Sequence, residues 1–264
     1  MIRTWKITKN NHEEMRFPGQ TSLDAITRQL PDGYYSTFRT YDGCTRVLGL
    51  SAHLQRLPEA DVSTLRRHLI HLLEHFHPDE ARVRVMMTKQ KQVYVAIEPL
   101  KPLPRTVYEK GVRVETTGIK RESPRVKSTA FIGQSDGERR HIAQLGIFEA
   151  LLVKDGKILE GMTSNFFYVC AGVLYTAQRD ILLGVTRRTV IRVARGRGVE
   201  VRYSPLKLDQ LPAVNEAFIT SSSRGIVPVV QIDDVTVGQG RVGEITEQLS
   251  MAYEAYVIQK AERI

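Results

Sequence analysis

A glutamate followed by a glycine and small polar residues opens the segment E-G-M-T-S-N-F-F at 160–167, and Lys127 stands upstream of it in R-V-K-S-T. An amine attacks an aldehyde, and a carboxylate beside a ring nitrogen favours the protonated ring, which then draws electron density from an α-carbon bonded to it. These two demands are those of pyridoxal 5'-phosphate, which is the cofactor this pair predicts. Lys127 is the expected catalytic residue. Once a substrate amine displaces it, its freed Nζ lies near both the substrate α-carbon and the cofactor's C4′ and carries a proton between them as general base and acid.

The phosphate of such a cofactor asks for backbone N–H groups at a helix start together with hydroxyl donors. G-V-T at 184–186 offers both, through Val185 and Thr186. T-S-S-S-R-G at 220–225 follows the strand-like E-A-F-I and offers a second set, with Ser221 and Ser222 as phosphate candidates and Ser223 and Arg224 beside them. A substrate carboxylate needs a cation. Arg224, Lys89, Arg84 and Arg39 are the candidates, because an arginine fork pairs both carboxylate oxygens at once. Strand alternation puts Tyr35, Thr37 and Arg39 on one face of Y-Y-S-T-F-R-T, in position to look into a site.

The elements that must hold these residues fall into two halves. Residues 1–120 form a small N-terminal α/β domain, 121–126 (R-E-S-P-R-V) a connection, and 127–264 a larger, β-rich domain with flanking helices. In the first half a turn-rich opening leads to the strand Y-Y-S-T-F-R-T-Y and then to the strand R-V-L-G-L. Ser51 is expected to cap the short helix S-A-H-L-Q-R-L, and Asp61 a longer helix with Leu65, Leu69, Leu72 and Phe76 facing a core. R-V-R-V-M-M-T and V-Y-V-A-I-E-P-L read as a hairpin. In the second half, helices are expected up to Gly146, over 185–197 and from about Gly243, the last burying Ile245, Leu249, Ala252 and Tyr256. Strand pairs turn at D-G (155 and 156) and at A-G (171 and 172). The class is mixed α/β (α+β).

At 264 residues and 42% hydrophobic, the chain is long enough for two cores. Cys44 and Cys170 have no metal-ligand spacing and are read as reduced thiols, and no metal site is expected. No run reaches the ~20 apolar residues that would span a bilayer, which points to a cytoplasmic protein without membrane contact. The net charge of +9 is the one anomaly. Its densest groups, R-R-T-V-I-R-V-A-R-G-R and E-R-R-H, lack an interleaved aromatic platform and read as solvated helix faces rather than a nucleic-acid site.

The order of six segments carries a family likeness: S-A-H-L-Q-R-L at 51–57, R-V-K-S at 125–128, E-G-M-T-S-N-F-F at 160–167, L-L-G-V-T-R at 182–187, T-S-S-S-R-G-I-V-P-V at 220–229 and G-R-V-G-E-I-T at 240–246. With these the chain resembles the class IV aminotransferases, the fold-type IV pyridoxal-phosphate family of branched-chain aminotransferases, D-amino acid aminotransferases and 4-amino-4-deoxychorismate lyases. The resemblance implies that Lys127 forms the internal aldimine and Glu160 contacts the pyridine nitrogen. Arg56, Val185, Thr186 and Ser222 would bind phosphate, and Leu182 would pack on the ring. It implies a homodimer and transfer of an amino group from an amino acid to a 2-oxo acid, with pyruvate elimination as the same-family alternative. A basic nucleic-acid-binding protein that kept the fold and lost the chemistry is the alternative from another class. Ser36–Thr37 looks like the lyase branch, whereas T-S-S-S-R-G-I-V-P-V looks like the transaminases. Two positions depart from the family pattern: Ala130 stands where many relatives carry Asn, and the hairpin at 82–92 is too short for the Arg-x-His carboxylate trap of D-amino acid aminotransferases.

Overall fold

Alternating apolar residues build two large sheets, each with its own core. The computed structural model describes residues 1–19 and 21–264. The chain runs through β1 (Arg3–Ile7), β2 (His12–Met15), α1 (Leu23–Thr27), β3 (Gly33–Arg39), β4 (Arg46–Val47), α2 (Leu50–Leu54), α3 (Val62–Glu74), β5 (Ala81–Thr88) and β6 (Val93–Pro99). Next come α4 (Arg105–Lys110), β7 (Val112–Thr117), α5 (Ala130–Gln134), α6 (Asp136–Gln144), β8 (Glu149–Lys154), β9 (Lys157–Gly161), β10 (Asn165–Cys170) and β11 (Val173–Thr176). The remainder is α7 (Val185–Gly196), β12 (Val201–Tyr203), β13 (Leu206–Lys207), β14 (Glu216–Ser221), β15 (Gly225–Ile232), β16 (Val235–Thr236), α8 (Glu244–Lys260) and β17 (Glu262–Arg263).

The mixed α/β class is as expected, but the chain divides differently. One unit holds Met1–Lys101, Val126–Gln134 and Gln259–Ile264, and the other holds Pro102–Arg125 and Ser135–Ile258. The expected break at 120 fails because β7 pairs in parallel with both β15 and β8 and so belongs to the second sheet. Lys127 falls in the first unit rather than the second. Tyr35 N–H donates to the Lys127 carbonyl at 3.0 Å, and Thr129 N–H to the Gly33 carbonyl at 2.9 Å, which stitches this segment to β3.

In the first unit the sheet order is β2-β1-β6-β5-β3. The period of two sorts its faces. Phe38, Val83, Val85, Val95 and Ile97 pack with Leu50, Leu54, Leu65, Leu69 and Leu72 of α2 and α3. Tyr35, Met86, Tyr94 and Ala96 pack with Leu23, Ile26 and Ile132 of α1 and α5. Asp61 caps α3 as expected, accepting from Thr64 N–H at 3.0 Å. Ser51 does not cap α2. Gly49, at φ +66°, makes the turn instead, and Ser51 Oγ donates to Glu262 at 2.9 Å. Of R-V-L-G-L only β4 is strand, paired with β17.

In the second unit the strands run β12-β11-β10-β14-β15-β7-β8-β9-β13. β9 also pairs with β10 at Glu160 and Asn165, so β10, β14, β15, β7, β8 and β9 close a ring. The ring surrounds a core that includes Val114, Leu151, Ile158, Phe166, Ile219 and Val227, while β12 and β13 remain as the ends of the sheet. α8 buries Thr246, Leu249, Ala252, Tyr253 and Val257, which turns its inner face slightly from the one expected and leaves Ile245 and Tyr256 half-buried.

Two outcomes follow for stability. Leu69 is fully buried under the first sheet, and Leu69→Ala is expected to cost about 2–5 kcal/mol in denaturant titrations. His68 Nε2 lies 3.0 Å from the Thr8 carbonyl, which can only accept, so His68 Nδ1 is left to accept from His12 Nδ1 at 3.2 Å. Burial, helped by His68, His71 and His75, holds the His12 imidazole below its ordinary 6.5. A depressed folded value makes the unfolded chain bind more protons. Stability is therefore expected to fall as pH drops below about 6.5, in denaturant midpoints taken from pH 8 to 5, and His12→Gln should flatten that fall.

Candidate active site

Glu160 is the penultimate residue of β9, and its carboxylate needs donors because a buried anion is costly unless hydrogen-bonded. It is 2% exposed. Its Oε2 accepts from Asn165 Nδ2 at 3.1 Å and from Leu182 N–H at 3.0 Å, and Arg121 Nε stands 3.4 Å from Oε1. The turn that follows is tight, with Gly161 N–H donating to the Ser164 carbonyl at 2.9 Å. A Cβ on Gly161 would collide with Ser164 Oγ. The β8–β9 register shifts between Leu152 and Val153, and a bulge so close to Glu160 re-aims the strand that carries it.

Asn165 also donates to the Leu182 carbonyl at 2.7 Å. Glu160 and Asn165 thus clamp both backbone groups of Leu182, the residue that leads into α7. Gly184 precedes that helix because a Cβ there would run into Asn165 Oδ1. No side chain caps α7, so its first N–H groups remain donors at the positive end of a twelve-residue helix. Val185 and Thr186 supply them. Thr186 Oγ1 lies 3.4 Å from Ser222 Oγ, which joins the helix start to the β14–β15 turn. Ser221 accepts from Arg224 Nε at 3.1 Å, and Ser223 lies in the same turn. Arg187, one residue further along α7, is buried and spends Nη2 on the Ala177 carbonyl and Gln178; burial pulls its guanidinium down to about 10, so it remains a cation at neutral pH.

In the first unit Lys127 Nζ stands 4.8 Å from the centre of the Tyr35 ring. Arg84 approaches the same ring at 4.8 Å. Its Nε donates to Thr37 at 3.0 Å, and its Nη1 donates to Asp24 at 2.6 Å and to Thr27 at 2.9 Å. Tyr35, Thr37 and Arg84 therefore form one group, as alternation predicted for the first two. Arg84, a candidate cation for the substrate carboxylate, already has a carboxylate partner within its own unit. Arg224 is likewise matched, its Nη2 donating to Glu149 at 3.0 Å. Arg39 lies over the Tyr41 ring at 4.7 Å, and Lys89 is exposed beyond β5. Arg56 follows α2, which His53 ties to β3 through Ser36 Oγ at 2.8 Å.

Pyridoxal phosphate carries a basic ring nitrogen at one end and a dianion at the other, and the donor chemistry suits it. Glu160 offers a buried carboxylate to the ring nitrogen, while Thr186, Ser222 and the α7 N–H groups are neutral donors for an anion. Arg121 and Asn165 escaped the sequence reading. Asn165 was visible as a lone amide opening the apolar strand N-F-F-Y-V-C; Arg121 lay in a segment read as a connection. Among the described residues no cluster of three or more His, Cys, Asp or Glu is arranged to hold a metal, and no helix is long and apolar enough to cross a membrane.

The family model for amino-transferase class IV matches residues 33–232. A provisionally named branched-chain-amino-acid aminotransferase of Methanocaldococcus jannaschii is 31% identical over 252 residues, covering 84% of this chain and 86% of that one. The aminodeoxychorismate lyase of Bacillus subtilis is 27% identical over 253 residues, covering 84% of each. A hypothetical aminotransferase from Mycobacterium tuberculosis, in its PLP-bound form, shares the fold with a TM-score of 0.78 at 22% identity, covering 97% of this chain and 99% of that one. With a matching model over most of its length and a relative of this identity and coverage, the chain belongs to the class IV aminotransferases.

Proposed function

We propose that the enzyme uses pyridoxal 5'-phosphate to move an amino group from an amino acid to a 2-oxo acid. The observation that carries this reading is the buried Glu160 carboxylate, surrounded by donors and tied through Leu182 to the start of α7. When bound, the cofactor supplies an aldehyde and an electron-accepting ring. Glu160 would accept the ring N–H and so favour the protonated ring, its own oxygens being met by Asn165, the Leu182 N–H and Arg121. Thr186, Ser222 and the Val185 N–H would hold the phosphate, with Ser221 and Arg56 as further phosphate residues and Leu182 as the residue for the ring face. Lys127 would be the amine that holds the aldehyde and, when freed by the substrate amine, the group that moves the α-carbon proton.

Small amino and oxo acids are the partners in this reading, the working state is a homodimer in the cytoplasm, and nucleic acid has no part. Relatives named branched-chain-amino-acid aminotransferases favour an apolar substrate side chain. Elimination of pyruvate to give 4-aminobenzoate is the second reading. It is supported by the Bacillus subtilis lyase over the same share of the chain and by the Ser36–Thr37 pair on β3.

Purified enzyme given branched-chain amino acids is expected to release keto acid only when a 2-oxo acid acceptor is present, by chromatography of products. Pyruvate and 4-aminobenzoate formed from aminodeoxychorismate without an acceptor would establish the second reading in its place. Lys127→Ala is expected to slow turnover by at least about 10²–10⁴-fold, the usual worth of a positioned acid–base group, while the circular dichroism spectrum stays unchanged.

A further inference from the structure

We propose that Arg224, anchored on the buried carboxylate of Glu149, is a positioning residue for the Ser221–Ser222 turn rather than a cation for substrate. This rests on the reading above in which Ser222 holds the cofactor's phosphate. The guanidinium has three bonds inside the second unit. Its Nη2 donates to Glu149 Oε2 at 3.0 Å and to Thr163 Oγ1 at 2.6 Å, and its Nε donates to Ser221 Oγ at 3.1 Å. Phe148 covers it at 5.2 Å, and Tyr108 Oη donates to the Arg224 carbonyl at 3.0 Å. A side chain pinned from so many directions has little freedom to turn toward a ligand.

Glu149 is the other half of the device. It is 2% exposed at the first position of β8, and its Oε2 also accepts from Thr163 Oγ1 at 2.6 Å and Ser164 Oγ at 3.4 Å. Thr163 and Ser164 belong to the turn between Glu160 and Asn165. One carboxylate oxygen therefore gathers the turn behind the acid and, through Arg224, the turn that carries Ser222. Gly161 leaves room for this gathering, since a Cβ there would approach Glu149 Cγ to 3.1 Å. An apolar pair of similar volume would fill the same space without desolvating two charges. What the ion pair adds is direction: a planar fork fixes where Ser221 sits, and Ser222 is its neighbour.

The test compares affinity for pyridoxal phosphate with affinity for pyridoxal, which lacks the phosphate, in apoprotein carrying Glu149→Gln together with Arg224→Met. Removing both charges leaves neither buried alone. The expected result is a preference for the phosphorylated form reduced by about tenfold to a hundredfold, the usual effect of losing an outer partner of a binding group, with pyridoxal affinity held near the wild-type value. Inorganic phosphate should also raise the melting temperature of wild-type apoprotein and fail to raise that of the variant. Should the double exchange not fold, Glu149→Gln alone gives the same comparison. An unchanged preference, or an equal loss for both ligands, would overturn the proposal. Wild-type protein that bound neither ligand would instead overturn the cofactor reading and this inference with it.

Discussion

A carboxylate with almost no access to water is the constraint around which the second unit is arranged. Glu160 can stay ionised only if its oxygens are met by donors, since losing one partner of a buried charged pair costs about 3–5 kcal/mol. Asn165, the Leu182 N–H and Arg121 meet that need. Each of these belongs to a different stretch of chain, so satisfying one acid fixes three segments. The pairing of Glu160 with Asn165 also closes the ring of strands. The charge and the fold are thus set by the same two residues.

From that pairing the geometry runs outward to the anion-binding elements. Leu182, held at both its N–H and its carbonyl, delivers Gly184 and the uncapped start of α7. Thr186 meets Ser222 there, and Ser221 is steadied by Arg224 and Glu149. Hydroxyls and backbone amides are good phosphate ligands only when they are pre-positioned, because each would otherwise pay to become ordered on binding. The buried polar network supplies that order in advance.

Period and residue type made the large elements legible. Leu65, Leu69 and Leu72 at helical spacing after Asp61 marked α3, and the alternation of Val83, Val85, Val95 and Ile97 marked the β5–β6 hairpin. β1 and β2 were less visible. The first is short, and the second, H-E-E-M, is an edge strand that shows no alternation and is held in part by the Arg3–Glu14 fork. The division of the chain was misread because parallel pairing of β7 is a long-range event that leaves no local signature. The candidate site was legible as residue types, with Lys127, Glu160, Thr186 and Ser222 singled out for what they can do. What spacing could not reveal was which cations were already matched. Arg84 finds Asp24 on α1, and Arg224 finds Glu149 on β8, each across a stretch of chain far too long for a pattern to bridge.

The most direct measurement is a crystal structure of the protein grown with pyridoxal phosphate. The account requires a Glu160 carboxylate oxygen within about 2.6–3.2 Å of the cofactor's ring nitrogen, the reach of a hydrogen bond, and continuous density between Lys127 Nζ and C4′. A ring nitrogen facing some other group, or a cofactor bound with Lys127 pointing into solvent, would contradict it.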